Sequence, residues 1–167
     1  EAATLSDALH GGSPEETVRV GLAELNAVRA RLTGHHAGAA LSAVCLGAPH
    51  LSIEEVEHVH RLLAANSGQP KVPIYLTVSR RTAEIVRDRG WQETFDAAGV
   101  VVVTDRCVYF PGILEPGSPS IMTDSAKWAH YAPACINATV TIGSLADCVA
   151  SAMAGVVVTT DSWTEAV

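Results

Sequence analysis

Gly99-Val100-Val101-Val102-Val103-Thr104-Asp105 is an unbroken apolar run of strand length that opens on glycine and closes on polar residues. Consecutive valines leave no polar face, so the run reads as a strand buried on both sides, the pattern of a parallel sheet covered by helices. Upstream, Val72-Pro73-Ile74-Tyr75-Leu76-Thr77-Val78 and Ala40-Leu41-Ser42-Ala43-Val44-Cys45-Leu46 have the same character. Downstream, Thr139-Val140-Thr141-Ile142 reads as a further strand.

Helical signals fill the gaps between these runs. Ser52 with Glu55 three residues on is a capping box, and Val56, Val59, Leu62 and Leu63 form its buried stripe until Gly68 and Pro70 stop it. Ser79 caps a helix with Ala83, Ile85 and Val86 inside, and a second helical piece runs from Trp91 to Ala98. Ser125 to Tyr131 reads as a short helix and Leu145 to Ala154 as another. Ahead of them all, Ser13-Pro14-Glu15-Glu16 has the cap, proline and acid of a helix start. Val18, Val20, Leu22, Leu25, Val28 and Leu32 then predict one long amphipathic helix ending at Gly34. A Pro/Gly-rich connection from Tyr109 to Ser120 is long for a compact domain, which marks it as a functional loop.

Strands alternating with helices predict an α/β fold, a mainly parallel sheet with helices on both faces. Residues 1–38 are expected to form a loop and leading helix, and residues 39–167 the α/β domain. The ligand crevice of such a sheet lies beyond the carboxyl ends of its strands. Three segments fall there: Gly47-Ala48-Pro49-His50, Asp105-Arg106-Cys107, and Gly143-Ser144-Leu145 with Cys148 one helical turn on.

Composition narrows the function. With a formal charge of −7 and a sequence pI near 5.4, the chain lacks the clustered cations that nucleic-acid phosphates require. No apolar stretch approaches a membrane span, and the expected location is the cytoplasm. The four cysteines Cys45, Cys107, Cys135 and Cys148 are then expected as thiols or metal ligands, and none forms a CxxC pair. The chain opens on Glu1 rather than Met, as expected of a fragment or a processed chain.

Cys107 leaves the valine strand where a thiol can face a cleft, whereas Cys45 sits inside a strand as a structural cysteine would. Cys148 lies in the first turn of a helix, where the amide dipole lowers a thiol's pKa; the competing reading packs it under the helix with Val149 and Ala152. Cys135, after Pro133, could approach the same centre as Cys107 and Cys148, but reads better as a small apolar filler. Met122 to Tyr131 gathers hydroxyls, an ammonium, an imidazole and a phenol, and Ser125 with Lys127 at a helix start is suited to an anion, though simple capping would look the same. His50 could donate a proton or bind a carboxylate.

Taken together, these segments resemble the C-terminal part of the large subunit of the aconitase X family, which includes cis-3-hydroxy-L-proline dehydratases and phosphomevalonate dehydratases. Four blocks carry the resemblance, in the family's order. Gly47-Ala48-Pro49-His50 with the helix after it is similar to a Gly-Cys-Pro-His segment, and Asp105-Arg106-Cys107 to an Asp-Thr-Cys block. Met122 to Pro133 is similar to a Thr-Asn-Ser-Ala-Lys block, and Gly143 to Cys148 to a final cysteine block. Ala48, Asp124 and Arg106 depart from the family's cysteine, asparagine and threonine.

The resemblance implies an iron–sulfur hydro-lyase acting on a small anionic hydroxy acid. Cys107 and Cys148 become two ligands of a [2Fe–2S] or [4Fe–4S] cluster, with a third cysteine elsewhere in the large subunit. Ser125, Lys127, Thr123 and His50 become substrate-binding residues. The cluster is expected to act as a Lewis acid on the leaving hydroxyl, with the base, a serine in the wider superfamily, on a separate swivelling domain or subunit. No Gly/Arg/Ser-rich loop of that type occurs here, so the chain alone is expected to be inactive. Two other readings stand beside it: a non-catalytic α/β anion-binding or assembly module with structural cysteines, and a redox protein using Cys107 as nucleophile.

Overall fold

The computed structural model describes residues 3–106, 113–114, 117 and 119–160. Its centre is a five-stranded, wholly parallel sheet of strands β1 (Ala43–Leu51), β2 (Ile74–Val78), β3 (Val100–Val103), β4 (Ser120–Thr123) and β5 (Thr139–Ile142), in the order β3-β2-β1-β4-β5. Alternate side chains along each strand feed two separate cores, as the two-residue period of a strand requires.

On one face Val44, Leu46, Ile74, Leu76, Val100 and Met122 pack against α3 (Ile53–Ala64), α4 (Arg80–Asp88), α5 (Trp91–Ala97) and α7 (Leu145–Ala154). On the other, Ala43, Cys45, Ile121 and Val140 meet Trp128, Ala129 and Ala132 of α6 (Ala126–Ile136), with Leu32 of α2 (Leu22–Leu32) at the margin. Ile113 and Leu114, from the connection between β3 and β4, join this second core; residues 109–112, 115–116 and 118 of the loop expected from Tyr109 to Ser120 lie outside the described residues. Crossovers that leave β1 in opposite directions must lie on opposite faces to keep one handedness, which the helices do. The strand order therefore reverses between β1 and β4.

Caps set the helices as their sequences predict. Ser52 accepts from the Glu55 amide while Glu55 accepts from the Ser52 amide, and Ser144 and Asp147 repeat the pattern at α7. Ser79 and Ser125 cap α4 and α6 by accepting from the amides of Thr82 and Trp128.

Three expectations change. The leading helix starts at Leu22, with Gly21 rather than Ser13 as its N-cap, and buries none of its residues; a short helix, α1 (Leu5–Ala8), occupies part of the expected loop. Val18 and Val20 are exposed, so the apolar period that predicted a longer helix has no core to face. The valine run forms an edge strand, with Val101 45% exposed. A central strand, β4, lies where the sequence reads as the end of a loop.

Gly47 lies within β1, where its register with β2 breaks between Leu46 and Leu51, at φ +79°; a Cβ there would stand 2.6 Å from the Thr77 carbonyl oxygen and 2.9 Å from the Leu51 amide nitrogen. Gly99 has a similar φ, +64°, with nothing within 4 Å of that position. Gly99→Ala is expected to cost about 1–2 kcal/mol through backbone conformation alone, and Gly47→Ala roughly 3 kcal/mol or more because backbone must also move. Urea denaturation checks this; equal losses in the two variants would contradict the close approach.

Candidate functional site

The carboxyl ends of β1 and β4 meet where the strand order reverses, the place where an open parallel sheet forms a crevice because neighbouring connections diverge to opposite faces. The residues there hold one another through hydrogen bonds across the gap. The Gly47 amide donates to Oδ1 of Asp124 at 3.0 Å, and Oγ of Ser125 donates to the Ala48 carbonyl at 3.3 Å. Oγ1 of Thr123 accepts from the Ser125 amide at 3.2 Å, and Ser125 accepts in turn from the Trp128 amide at 3.2 Å. Thr123 is fully buried. Both hydroxyls singled out in the sequence are thus engaged in shaping the turn from β4 into α6. Lys127, in the first turn of α6, and His50, near the end of β1, are exposed at the same end of the sheet.

Asp124 is the residue whose importance the sequence did not disclose, since it reads there only as a departure from asparagine. Burial is the main cause that raises its carboxyl above the usual range; the Glu55 charge adds to this, and the amides of Gly47 and Asp124 itself oppose it. Asp147 behaves differently. Burial pulls it upward too, but the hydroxyl and amide of Thr160, at 2.8 and 2.9 Å, and the Ser144 amide at 3.2 Å hold it below the usual range.

Cys148 sits between these carboxylates and inside the first core, wholly buried with Val149 and Ala152. Burial pushes its thiol well up, and the charges of Asp124 and Asp147 and the neighbouring Cys45 push further. The helix start does not make it a thiolate here, because desolvation outweighs the dipole. Cys45 is buried within its strand as expected, whereas Cys135 is exposed on α6 rather than filling a core. Cys107 lies outside the described residues.

Asp105 stands at the end of β3 and pairs with Arg80 at 2.6 Å. Three strand spacings, roughly 14 Å, separate the end of β3 from that of β4. Among the described residues no group of three or more His, Cys, Asp and Glu side chains could hold a metal ion. The described residues therefore include no set that could by itself hold a cluster. No described helix is long and apolar enough to cross a membrane.

A family model described as the aconitase X third domain matches residues 41–154. The cis-3-hydroxy-L-proline dehydratase of Hypocrea jecorina is 34% identical over 157 residues, 93% of this chain and 26% of that protein. The phosphomevalonate dehydratase large subunit of Methanothermobacter thermautotrophicus is 30% identical over 90 residues, 54% of this chain and 22% of that one. The chain spans about a quarter of the length of the curated relatives it matches. The crystal structure of Thermococcus kodakaraensis aconitase X in its holo form superposes with a TM-score of 0.66 at 22% identity, over 78% of this chain and 33% of that one, a likeness of fold.

Two outcomes follow from the site's electrostatics. A carboxyl raised in the folded state contributes stability that is present in full below the ordinary carboxylate range and is lost as pH rises through the folded value. Asp124→Asn keeps an acceptor for the Gly47 amide without the charge. It should exceed the parent in stability at about pH 7 and lose that advantage by about pH 3; urea denaturation showing no gain at the higher pH would refute it. Alkylation of the native chain followed by peptide mass mapping should modify Cys135 and spare Cys45 and Cys148 until the chain is unfolded.

Proposed function

We propose that this chain, which belongs to the aconitase X family, supplies part of the active site of an iron–sulfur-dependent hydro-lyase acting on a small hydroxy-carboxylate, such as cis-3-hydroxyproline, or on a phosphorylated hydroxy acid. The observation that carries this reading is the convergence of Thr123, Ser125 and the buried Cys148 on the carboxyl ends of β1, β4 and β5, with Lys127 and His50 exposed nearby. In this proposal the α/β domain from residue 39 onward works together with the remainder of a large subunit and with a swivelling domain or subunit that brings the base.

Lys127 and the start of α6 supply the positive field for a carboxylate or phosphate. Ser125 and Thr123 hold that helix start in position rather than donating freely, because their oxygens already serve the local backbone. His50 is placed to bind or protonate an anionic group at the end of β1. Cys148 and Cys107 are proposed as cluster ligands, and the cluster would contribute Lewis acidity toward a hydroxyl.

One observation favours a second reading. The complete burial of Cys148 with a raised thiol suits a structural cysteine, and hence an anion-binding or assembly module without catalysis of its own.

The full-length enzyme separates the two. Cys148→Ser is expected to remove the visible cluster absorbance and turnover together, while Lys127→Met should raise KM on the order of tenfold with a smaller effect on kcat. Unchanged iron content and turnover in Cys148→Ser would leave only the assembly reading.

A further inference from the structure

The large apolar side chains left in water are concentrated ahead of the sheet. Among the described residues Val18, Val20, Leu22, Leu25 and Val28 are five of the eight that are exposed. On α2 they form a stripe. Leu22, Leu25, Val28 and Leu32 follow one another at spacings of three or four, which puts them on one side of the helix. Leu32, at the carboxyl end, reaches the second core, whereas Leu25 and Val28 are 52% and 38% exposed. That end of the helix is fastened to the domain: the Gly34 amide donates to the Val140 carbonyl at 2.7 Å, and the Thr33 hydroxyl accepts from the Ile142 amide at 3.5 Å. The chain leaving α2 therefore meets β5, at the edge of the sheet. The amino end is closed by the Glu24 carboxylate, which accepts from the Gly21 amide at 2.8 Å.

A helix held at one end and bare along the rest needs a cover. Isolated helices shorter than about 12 to 15 residues are marginal in water, because most helical stability comes from packing an apolar face. α2 has 11 residues and buries none of them. Its place in the chain says what the cover is. The third-domain match begins at residue 41, after α2. The match to the Hypocrea jecorina dehydratase takes in 93% of this chain, which residues 41 onward cannot supply, so it includes α2; yet it takes in only 26% of that protein. α2 thus stands where the third domain joins the polypeptide that precedes it.

We propose that Leu22, Leu25 and Val28, with Val18 and Val20 ahead of them, form an interdomain surface that packs against an apolar face of the polypeptide preceding the third domain. The proposal rests on the reading above in one respect, that the chain is part of a larger subunit, and uses none of its iron–sulfur chemistry. Size favours this occupant over a separate chain. A few side chains on and before one helix fall well short of the roughly 800 Å² per partner that stable association of free proteins buries. A tethered domain meets its surface at an effective concentration of about millimolar and needs less contact to stay.

The test uses the full-length enzyme. Leu25→Cys and Val28→Cys, alkylated in the native state and followed by peptide mass mapping, should react at least about tenfold more slowly than after unfolding. A genetically encoded benzophenone side chain at position 20 should cross-link, on illumination, to a peptide that precedes this chain. Leu25→Glu should lower the melting temperature by several degrees, since an exposed site would tolerate the change. Leu25→Ser, a milder change, should lower it less and serves if the glutamate variant does not fold. Alkylation of both cysteines at the unfolded rate, or a melting temperature unmoved by either substitution, would overturn the proposal. So would a cross-link that joins two copies, one confined to this chain, or none. Iron content and turnover enter none of these readouts, so the surface and the hydro-lyase reading can fail separately.

Discussion

Beyond the ladder that pairs β1 with β4, a hydrogen bond from the Gly47 amide to the Asp124 carboxylate at 3.0 Å fixes the two segments that diverge where the strand order reverses. It lies where the β1–β2 register breaks, with Gly47 in the left-handed region at φ +79°. The Thr77 carbonyl and Leu51 crowd the place where a side chain would stand, so the turn needs glycine both for its dihedral and for its bareness. The Ser125 hydroxyl adds a second tie to Ala48, and the start of α6 is aimed from this pair of anchors. The position of Lys127 at the crevice follows from that aim.

Much of this was legible in the sequence where a local rule and the tertiary fold agree. Ser52 with Glu55, Ser79, and Ser144 with Asp147 announce their helices because a cap is a contact made within a few residues. Alternation of strands and helices announced the parallel sheet, and with it the strand-end positions of His50 and Cys148, whereas Thr123, Ser125 and Lys127 share that edge only because β4 forms. What could not be read depends on partners distant in sequence. Ser120 to Thr123 is too short and too polar at its ends to show a period, and it becomes a strand because β1 and β5 offer ladders on both sides. The valines of β3 look centrally buried, yet the strand is an edge, since hydrophobicity does not encode neighbour order. Ser13 to Glu16 has the signature of a helix start but no core to support the helix that should follow.

The two carboxylates beside the crevice divide by the balance between burial, which raises both, and the hydrogen bonds each accepts. Asp147 meets donors from Thr160 and Ser144 and stays ionised at neutral pH; Asp124 meets fewer donors and the repulsion of Glu55, so it holds its proton longer. Asp124 therefore supplies the acceptor that Gly47 needs, as an asparagine could, while adding a group able to change charge.

This division bears on Cys148. A free thiolate there is opposed by desolvation, by the Asp147 charge, and by that of Asp124 whenever it ionises. Such a setting is adverse to a nucleophilic or redox thiol, which requires a lowered pKa and access to solvent. It is not adverse to a thiolate that ionises against a cation, since the same carboxylates that repel a lone sulfur anion attract positive charge beside it. The electrostatics around position 148 thus argue against a thiol that reacts alone. They permit two states, a neutral thiol packed in the core or a thiolate neutralised by a positive centre.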